Sequence, residues 1–228
     1  MDCRYAIYFV PPPDSVLYRF GASVLGYDSH RGESLDFPDG VPAGWPEIVR
    51  EPQVYGFHAT LKAPFRLADG YRESDLLEAF AAGLPGQTAV QGGLLAIRPI
   101  GSFVAMTPTV PATPVNALAA TCVRAFDRFR APLSDDERAK RLQAPLTPAQ
   151  RAHLEQWGYP YVFDAFRFHM TLTGSVDADR HAEALAYLTG AFAQLPDAQT
   201  LCIDRISLLR QDGKGQRFSV LATTVLKA

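Results

Sequence analysis

The sequence has few cysteines, and they are not clustered. Its 228 residues include only three, Cys3, Cys122 and Cys202, and none lies in a Cys-x-x-Cys pair or another metal-ligand spacing. An odd number of scattered cysteines does not form a closed disulfide framework and is typical of free thiols in a reducing compartment. This pattern excludes a disulfide-rich scaffold and a cysteine-based metal site.

Long hydrophobic segments are also missing. No stretch approaches the ~20 consecutive apolar residues that a membrane-spanning helix needs, and the short apolar run near the start meets three prolines at 11–13. We therefore expect a cytoplasmic protein that does not enter the membrane. No feature of the sequence indicates an obligate protein partner.

Neither sign of charge is in large excess, since 22 Lys and Arg stand against 24 Asp and Glu, for a formal net charge of -2. A protein whose main task is to coat nucleic acid needs a dense basic surface, so this balance disfavours that class. A local basic pocket is compatible with it. The hydrophobic content of 47% is that of an ordinary globular protein, and we predict a single domain over residues 1–228.

What is present is an alternation of strands and helices that occurs twice. The first half predicts strands at 4–10 and 55–65, helices at 15–26 and 74–84, and a Gly/Pro-rich loop at 27–53. The second half predicts helices at 113–129 and 178–195, with Thr113 as the N-cap of the first, a strand at 166–176 and a terminal hairpin of 202–211 and 217–227. Two further strands are predicted at 88–97 and 102–110. We interpret this pattern as an internal duplication, roughly 1–97 and 98–228, in an α+β fold.

One segment, residues 131–163, has no counterpart in the first half. Ser134 with Glu137, and Thr147 with Gln150, form capping boxes that predict two short helices, and an aromatic stretch follows them. We interpret this segment as an insertion near the second histidine strand. It either covers the edge of a sheet or acts as a lid, and the sequence leaves both open.

Two His-x-Thr motifs stand at equivalent places in the repeated pattern. Side chains alternate between the faces of a strand, so each motif places its histidine and threonine on one polar face. The predicted polar faces consist of His58, Thr60 and Lys62 on one strand and Arg167, His169, Thr171 and Thr173 on the other. A single motif of this kind arises often by chance. Two copies in a duplicated pattern favour a shared catalytic site.

The chemistry that suits this set is acid and base catalysis at phosphorus. One imidazole can accept a proton while the other donates one near neutral pH, and in-line displacement needs both on opposite sides of the phosphorus. The threonine hydroxyls can donate to the phosphoryl oxygens, and Lys62 or Arg167 can offset their charge. Tyr159 or Tyr161 can stack on a sugar or base. A metal site is disfavoured because no third ligand shares either polar face, and we expect no cofactor.

These residues resemble the 2H phosphoesterase superfamily, which includes LigT-like RNA ligases and cyclic nucleotide phosphodiesterases. The strings YGFHATLKAPF, FRAPLS, WGYPYV and FRFHMTLTG are similar to a branch linked to bacterial phosphonate-utilisation operons. The resemblance implies a bilobal α+β fold with pseudo-two-fold symmetry, an antiparallel-rich sheet in each lobe and outer helices. It also implies metal-free cleavage or formation of a cyclic or 2′-linked phosphodiester by His58, Thr60, His169 and Thr171.

Three functions are compatible with the motifs. The first is an enzyme acting on a small cyclic phosphate or a phosphonate-pathway ester, for example one derived from ribose. The second is a phosphodiesterase or ligase for RNA ends that carry a 2′,3′-cyclic phosphate. The third is a non-catalytic module that binds a nucleotide or phosphonate. The charge balance favours the small substrate, and two intact motifs disfavour simple binding. Which histidine is the base is left open.

Overall fold

An antiparallel sheet of eight strands runs through the computed structural model, which describes residues 3–84 and 86–227. In chain order the strands are β1 (Arg4–Phe9), β2 (Tyr27–Asp28), β3 (Glu33–Ser34), β4 (Ala59–Phe65), β5 (Val90–Ile100), β6 (Phe103–Pro108), β7 (Met170–Thr171), β8 (Thr200–Ile203), β9 (Arg205–Gln211) and β10 (Ser219–Val225). The large sheet has the order β10-β9-β1-β4-β7-β6-β5-β8, and β2 and β3 form a separate ladder.

Helices separate the strands along the chain, and some of them pack against the large sheet. The helices are α1 (Val16–Leu25), α2 (Trp45–Gln53), α3 (Glu73–Ala81), α4 (Thr113–Phe126), α5 (Asp135–Leu142), α6 (Pro148–Trp157) and α7 (Ala178–Ala193). α4 contacts β4 and β5, α7 contacts β5 and β6, and α3 contacts β10. The predicted α+β class is confirmed. Within the described ranges, no helix has the length and apolar character needed to cross a membrane.

The large sheet consists of two four-stranded halves that join in its middle. β10-β9-β1-β4 forms one half and β7-β6-β5-β8 forms the other, and the halves meet where Ala59 of β4 pairs with Met170 of β7. The two sheets implied by the resemblance are therefore continuous with each other.

The halves of the sheet do not follow the predicted repeat boundary at 97/98. β9 and β10 come from the C-terminal end of the chain, yet β9 pairs with β1 and β10 pairs with β9. The terminal hairpin itself is confirmed. Residues 1, 2, 85 and 228 of the predicted domain span lie outside the described residues.

The prediction of a loop over residues 27–53 is wrong at its end, where α2 forms. Its buried residues are Trp45, Ile48, Val49 and Pro52, which follow helical spacing. Pro46 lies in the first turn, where the missing N–H has no intrahelical partner to lose. The Gly/Pro content of the segment concealed this short amphipathic helix.

The second histidine strand is also shorter than predicted. Of residues 166–176, only Met170 and Thr171 have strand structure. The preceding turn at 163–165 is a 3-10 helix, and the amides of Leu172 and Thr173 both donate to the carbonyl of Val104. The ladder cannot continue regularly where two successive amides share one acceptor.

Several predicted helix termini can be checked by their hydrogen bonds. The capping boxes at Ser134 and Thr147 are both formed, so the two helices of the insertion are confirmed. The predicted N-cap of α4 is wrong, because the cap is Ala112 and Thr113 lies inside the helix. α3 begins at Glu73, one residue before its predicted start, with Arg72 as its N-cap.

Candidate active site

The two His-x-Thr motifs lie beside each other at the junction of the half-sheets. Ala59 and Met170, the central residues of the motifs, are partners across the junction. Continuing this antiparallel register places each histidine opposite the threonine of the other motif: His58 opposite Thr171, and His169 opposite Thr60. His58 and His169 are then diagonal neighbours on one face, and the backbone positions of such residues are roughly 7–8 Å apart in an antiparallel pair.

Both imidazoles are oriented in the same way by their own chain segments. Nδ1 of His58 lies 2.8 Å from the carbonyl oxygen of Gly56, and Nδ1 of His169 lies 2.8 Å from the carbonyl oxygen of Arg167. Because a carbonyl only accepts, the neutral form of each ring carries its hydrogen on Nδ1 and keeps Nε2 as the basic nitrogen. The hydroxyl of Thr60 lies 3.2 Å from Nε2 of His58, to which it can donate.

His58 is enclosed by aromatic rings. Tyr8 stacks on it with 3.8 Å between ring centroids, and Tyr55 lies at 6.2 Å. Phe218 contacts both tyrosines. Burial lowers the pKa of His58 to about 4, against the effect of the hydrogen bond to Gly56 and with a smaller contribution from the charge of His169. His58 is therefore uncharged at neutral pH.

His169 has fewer aromatic neighbours than His58. Phe103 is its aromatic neighbour, with the ring centroids 5.9 Å apart and the planes tilted by 51°. The imidazole lines a cavity that also borders the insertion. The two histidines thus share a backbone arrangement but differ in the aromatic rings and the cavity beside them.

Two cavities adjoin the motifs, and Phe103 lines both. The smaller, of about 260 Å³, contains His58 and Thr171 in its wall. The larger, of about 800 Å³, contains Thr60 and His169. Each cavity combines the histidine of one motif with the threonine of the other, as the register requires. A phosphorus atom between the cavities could be approached from opposite sides, which in-line displacement needs.

Lys62 does not share the face of His58, and that prediction is wrong. The register between β1 and β4 shifts after the motif, since Tyr8 faces Thr60 but its neighbour Ile7 faces Lys62. Such a bulge adds one residue to β4 and interrupts the regular alternation of side chains.

The bulge turns Lys62 toward α4. Its Nζ lies 3.0 Å from Oδ1 of Asp127 and 3.3 Å from the carbonyl oxygen of Val123, and the residue is 3% exposed. Leu61 and Ala63 line the larger cavity in its place. Lys62 is therefore a buried structural cation and is not placed to bind a phosphate in the cleft.

The other three predicted binding residues do line the larger cavity: Arg167, Tyr159 and Tyr161. Arg167 is exposed, and the two tyrosine rings meet edge to face with centroids 5.6 Å apart. Burial raises the pKa of Tyr159. Their contact with a substrate stays a prediction.

The insertion forms one wall of the larger cavity. Thr147 and Gln150, at the start of α6, line it together with the tyrosines that follow the helix. The insertion is also attached to the motif strand, because Asp127 binds both Lys62 and Arg130, and Arg130 donates to the carbonyl oxygen of Gln156. It therefore does more than cover the edge of a sheet.

Some residues of the site were not identified from the sequence. Tyr8 and Phe218 come from opposite ends of the chain, and their strand patterns predict only burial. Tyr55 stands in the same string as His58, three residues before it, but no pattern distinguishes it from a core aromatic residue. Glu51 and Phe103, which line the smaller cavity, carry no motif signal.

The remaining histidines lie apart from the motifs. Nε2 of His30 is 3.1 Å from the carbonyl oxygen of Pro11, and Nε2 of His153 is 2.6 Å from Asp164. Across residues 3–84 and 86–227, no group of three His, Cys, Asp or Glu side chains is arranged to hold a metal ion.

Comparison with protein families and curated proteins gives a consistent set of relatives. A family model described as "Protein of unknown function (DUF1045)" matches residues 60–219. A protein of Janthinobacterium sp. (strain Marseille) named ribose 1,5-bisphosphate phosphokinase PhnN is 39% identical over 226 residues, covering 94% of this chain and 49% of that protein. A protein of the same name from Laribacter hongkongensis (strain HLHK9) is 33% identical over 205 residues, covering 88% of this chain and 48% of that protein. The chain spans about half the length of these curated relatives.

Similar solved structures include E. coli LigT complexed with 3′-AMP, with a TM-score of 0.47, 13% identity and coverage of 99% of this chain and 98% of that one. A structure titled as a phosphoesterase has a TM-score of 0.46 and 13% identity, with both chains fully covered. Usb1 of Kluyveromyces marxianus has a TM-score of 0.39 and 10% identity, covering 100% of this chain and 98% of that one.

Proposed function

We propose that this chain, which belongs to the DUF1045 family, is a phosphoesterase that opens a small cyclic phosphodiester without a metal ion. The observation that carries this proposal is the pairing of Ala59 with Met170, whose register makes His58 and His169 diagonal neighbours. In both, a carbonyl holds Nδ1, so that Nε2 is the nitrogen available for proton transfer. Simple binding does not require two such groups.

In the proposed reaction, a water molecule attacks the phosphorus and gives a proton to Nε2 of His58. The bond from phosphorus to one ring oxygen breaks, and protonated His169 gives its Nε2 proton to that oxygen. Thr60 and Thr171 donate hydrogen bonds to the non-bridging oxygens, whose charge increases in the transition state. The histidines then return to their starting protonation states by exchanging one proton with solvent.

The assignment of His58 as the base follows from its surroundings. A base must be uncharged before the reaction, and burial lowers the pKa of His58 to about 4. His169 lines the larger cavity on the other side of the reacting phosphorus, which leaves it the role of the acid. The acid limb of the rate profile is accordingly expected near pH 4.

The substrate that we propose is a cyclic phosphate of ribose. The curated relatives are named for a kinase acting on ribose 1,5-bisphosphate, and this chain corresponds to about half of their length. If a phosphate bridges O1 and O2 of ribose 5-phosphate, cleavage at O2 leaves the phosphate on O1 and yields ribose 1,5-bisphosphate. This chain would then produce ribose 1,5-bisphosphate, the compound in the kinase's name. Such a substrate is compatible with the phosphonate-pathway ester expected from the sequence.

The larger cavity also supports a second candidate, the opening of a 2′,3′-cyclic phosphate at an RNA end. Its volume of about 800 Å³ is sufficient for a nucleotide, and Tyr159 and Tyr161 offer rings for base stacking. The net charge of -2 favours the small substrate over RNA.

The test is a hydrolysis panel in the presence of EDTA. It compares the 1,2-cyclic phosphate of ribose 5-phosphate, adenosine 2′,3′-cyclic phosphate and a short RNA with a 2′,3′-cyclic end, with the products identified by phosphorus NMR. We expect turnover of the ribose compound to persist under chelation. His58→Ala or His169→Ala should lower kcat by roughly 10²–10⁴, because each removes a proton-transfer group.

A matched control is His30→Ala, which removes an imidazole outside the cleft. Thr60→Ala and Thr171→Ala should reduce kcat less than the catalytic histidine variants, since each removes one neutral donor. Full turnover by a variant lacking both His58 and His169 would refute the mechanism. Preferential cleavage of the RNA substrate would favour the second candidate.

A further inference from the structure

Two arginines beside the larger cavity have no carboxylate partner within the described ranges, 3–84 and 86–227. Arg167 is exposed and lines the cavity. Arg141, in the last turn of α5, has its guanidinium carbon 4.7 Å from the ring centroid of Tyr159, which lines the same cavity. Three other arginines of this region are paired with carboxylates, as Arg66–Glu137, Arg130–Asp127 and Arg138–Glu155.

The charge of Arg141 affects tyrosines that lie close to the two histidine motifs. Burial raises the pKa of both Tyr8 and Tyr159, and the charge of Arg141 opposes this rise at both hydroxyls. The ring of Tyr8 stacks directly on His58. Arg141 therefore lies near enough to influence groups around the catalytic histidines, although it belongs to an otherwise exposed helix.

The size of the larger cavity exceeds what a reacting phosphate ring needs. At about 800 Å³, it lies in the range of roughly 300–1,000 Å³ that is typical of sites for whole small molecules. The lining offers aromatic surface from Tyr159, Tyr161 and Phe166, and its carboxylate, that of Asp164, is paired with His153. A substrate that fills it must extend well beyond its cyclic phosphate.

We propose that Arg141 and Arg167 bind a second phosphate of the substrate, a terminal phosphomonoester on the same sugar. Guanidinium groups suit this role because their planar donors match phosphate oxygens in a bidentate geometry. The inference rests on the proposed function and specifies its substrate class, a cyclic phosphodiester that carries a separate phosphomonoester. A sugar phosphate or a nucleotide can supply this chemistry.

The test uses pairs of substrates that differ only in the terminal phosphate. Ribose 1,2-cyclic phosphate is compared with its 5-phosphate, and adenosine 2′,3′-cyclic phosphate with its 5′-phosphate. We expect the phosphorylated member to have a kcat/KM higher by roughly 10- to 100-fold, the range of one or two charged hydrogen bonds. Comparison of the absolute kcat/KM between the two pairs shows whether the substrate is a sugar phosphate or a nucleotide. Equal kcat/KM within both pairs, with hydrolysis retained, overturns the inference.

Substitutions then assign the preference to the two arginines. Arg141→Gln and Arg167→Gln should each lower the preference for the phosphorylated member roughly 10-fold, mainly through KM, because a remote phosphate contributes to binding. Lys140→Gln is the matched control, since it removes an exposed cation next to Arg141 on the same helix and should keep the preference. An undiminished preference in both arginine variants overturns the assignment.

A binding measurement separates this inference from the proposed reaction. Titration of the native protein and of the Arg141→Gln/Arg167→Gln variant with ribose 5-phosphate requires no turnover. We expect the dissociation constant to rise roughly 10- to 100-fold in the variant. Equal affinity refutes the subsite even if cyclic diesters are cleaved. Weaker binding without any hydrolysis of the panel supports the subsite and refutes the phosphodiesterase reaction.

Discussion

At the scale of single residues, the two catalytic candidates differ in what surrounds them. His58 stacks on Tyr8 and lies near Tyr55, whereas His169 has Phe103 beside it and lines the larger cavity. Aromatic enclosure disfavours a charged imidazole because it removes water from the ring. The same motif thus produces two chemically different histidines, which a base and an acid require.

This difference predicts a dependence of stability on pH. The pKa of His58 is about 4 in the folded protein and near 6.5 in the unfolded chain, so the unfolded state binds the proton first as the pH falls. This preferential protonation of the unfolded chain has no effect well above pH 6.5. As the pH falls from 6.5 to 4, it lowers the free energy of unfolding progressively, by at most about 3 kcal/mol. His58→Gln should lose this part of the pH dependence. Urea unfolding of both proteins between pH 7 and pH 4 measures this difference. If the free energy of unfolding depends on pH in the same way in both proteins, the imidazole of His58 is not buried as described.

The sequence predicted one shared site for His58 and His169, because strand alternation and a repeated motif depend on local pattern alone. It could not predict that the two rings have different aromatic neighbours. The ring cluster around His58 combines Tyr8 from the first strand with Phe218 from just before the last, and such a contact depends on how distant segments pair. Local pattern contains no information on that pairing.

At the scale of elements, β4 carries both the first motif and an irregularity directly after it. The register shift between Ile7 and Tyr8 turns Lys62 to the opposite face, where it binds Asp127 behind the sheet. Alternation therefore predicted Thr60 correctly and failed at Lys62, since one inserted residue reverses every side chain beyond it. The same bulge connects the motif strand to the helix α4 and, through Arg130, to the insertion.

The buried pair predicts an unequal response to substitution of its two members. Asp127→Asn leaves Lys62 buried without a full counter-charge, and we expect a loss of about 3 kcal/mol in the free energy of unfolding. Lys62→Met leaves Asp127 partly exposed and still paired with Arg130, so its loss should be about 1 kcal/mol or less.

Denaturant unfolding of the two variants and of the double variant tests this order. The double variant should be more stable than Asp127→Asn alone, because it no longer buries an unpaired ammonium group. A larger loss for Lys62→Met than for Asp127→Asn would show that the aspartate does not compensate the lysine.

At the scale of the whole molecule, the site is assembled from both ends of the chain. The half-sheet that carries His58 contains the first strand and the last two strands, while the half that carries His169 comes from the middle of the chain. Phe218 is fully buried, and its amide and carbonyl are fixed by Val54 and Tyr27. The C-terminal hairpin therefore completes the environment of a histidine that lies far away in sequence.

This assembly predicts that a substitution near the C-terminus changes the pKa of His58. Phe218→Leu removes a ring that packs on Tyr8 and Tyr55, which should loosen the enclosure of the imidazole, reduce its desolvation and raise its pKa from about 4 toward 6.5. An NMR titration of the His58 ring proton measures the shift.

Phe80→Leu is the matched control, because Phe80 is equally buried but packs on Phe126, behind the sheet. This variant should lower the free energy of unfolding by about 1 kcal/mol and leave the titration of His58 unchanged. If the two variants shift the titration equally, general loosening of the core explains the effect. If only Phe218→Leu shifts it, the C-terminal strand sets the protonation of the proposed base.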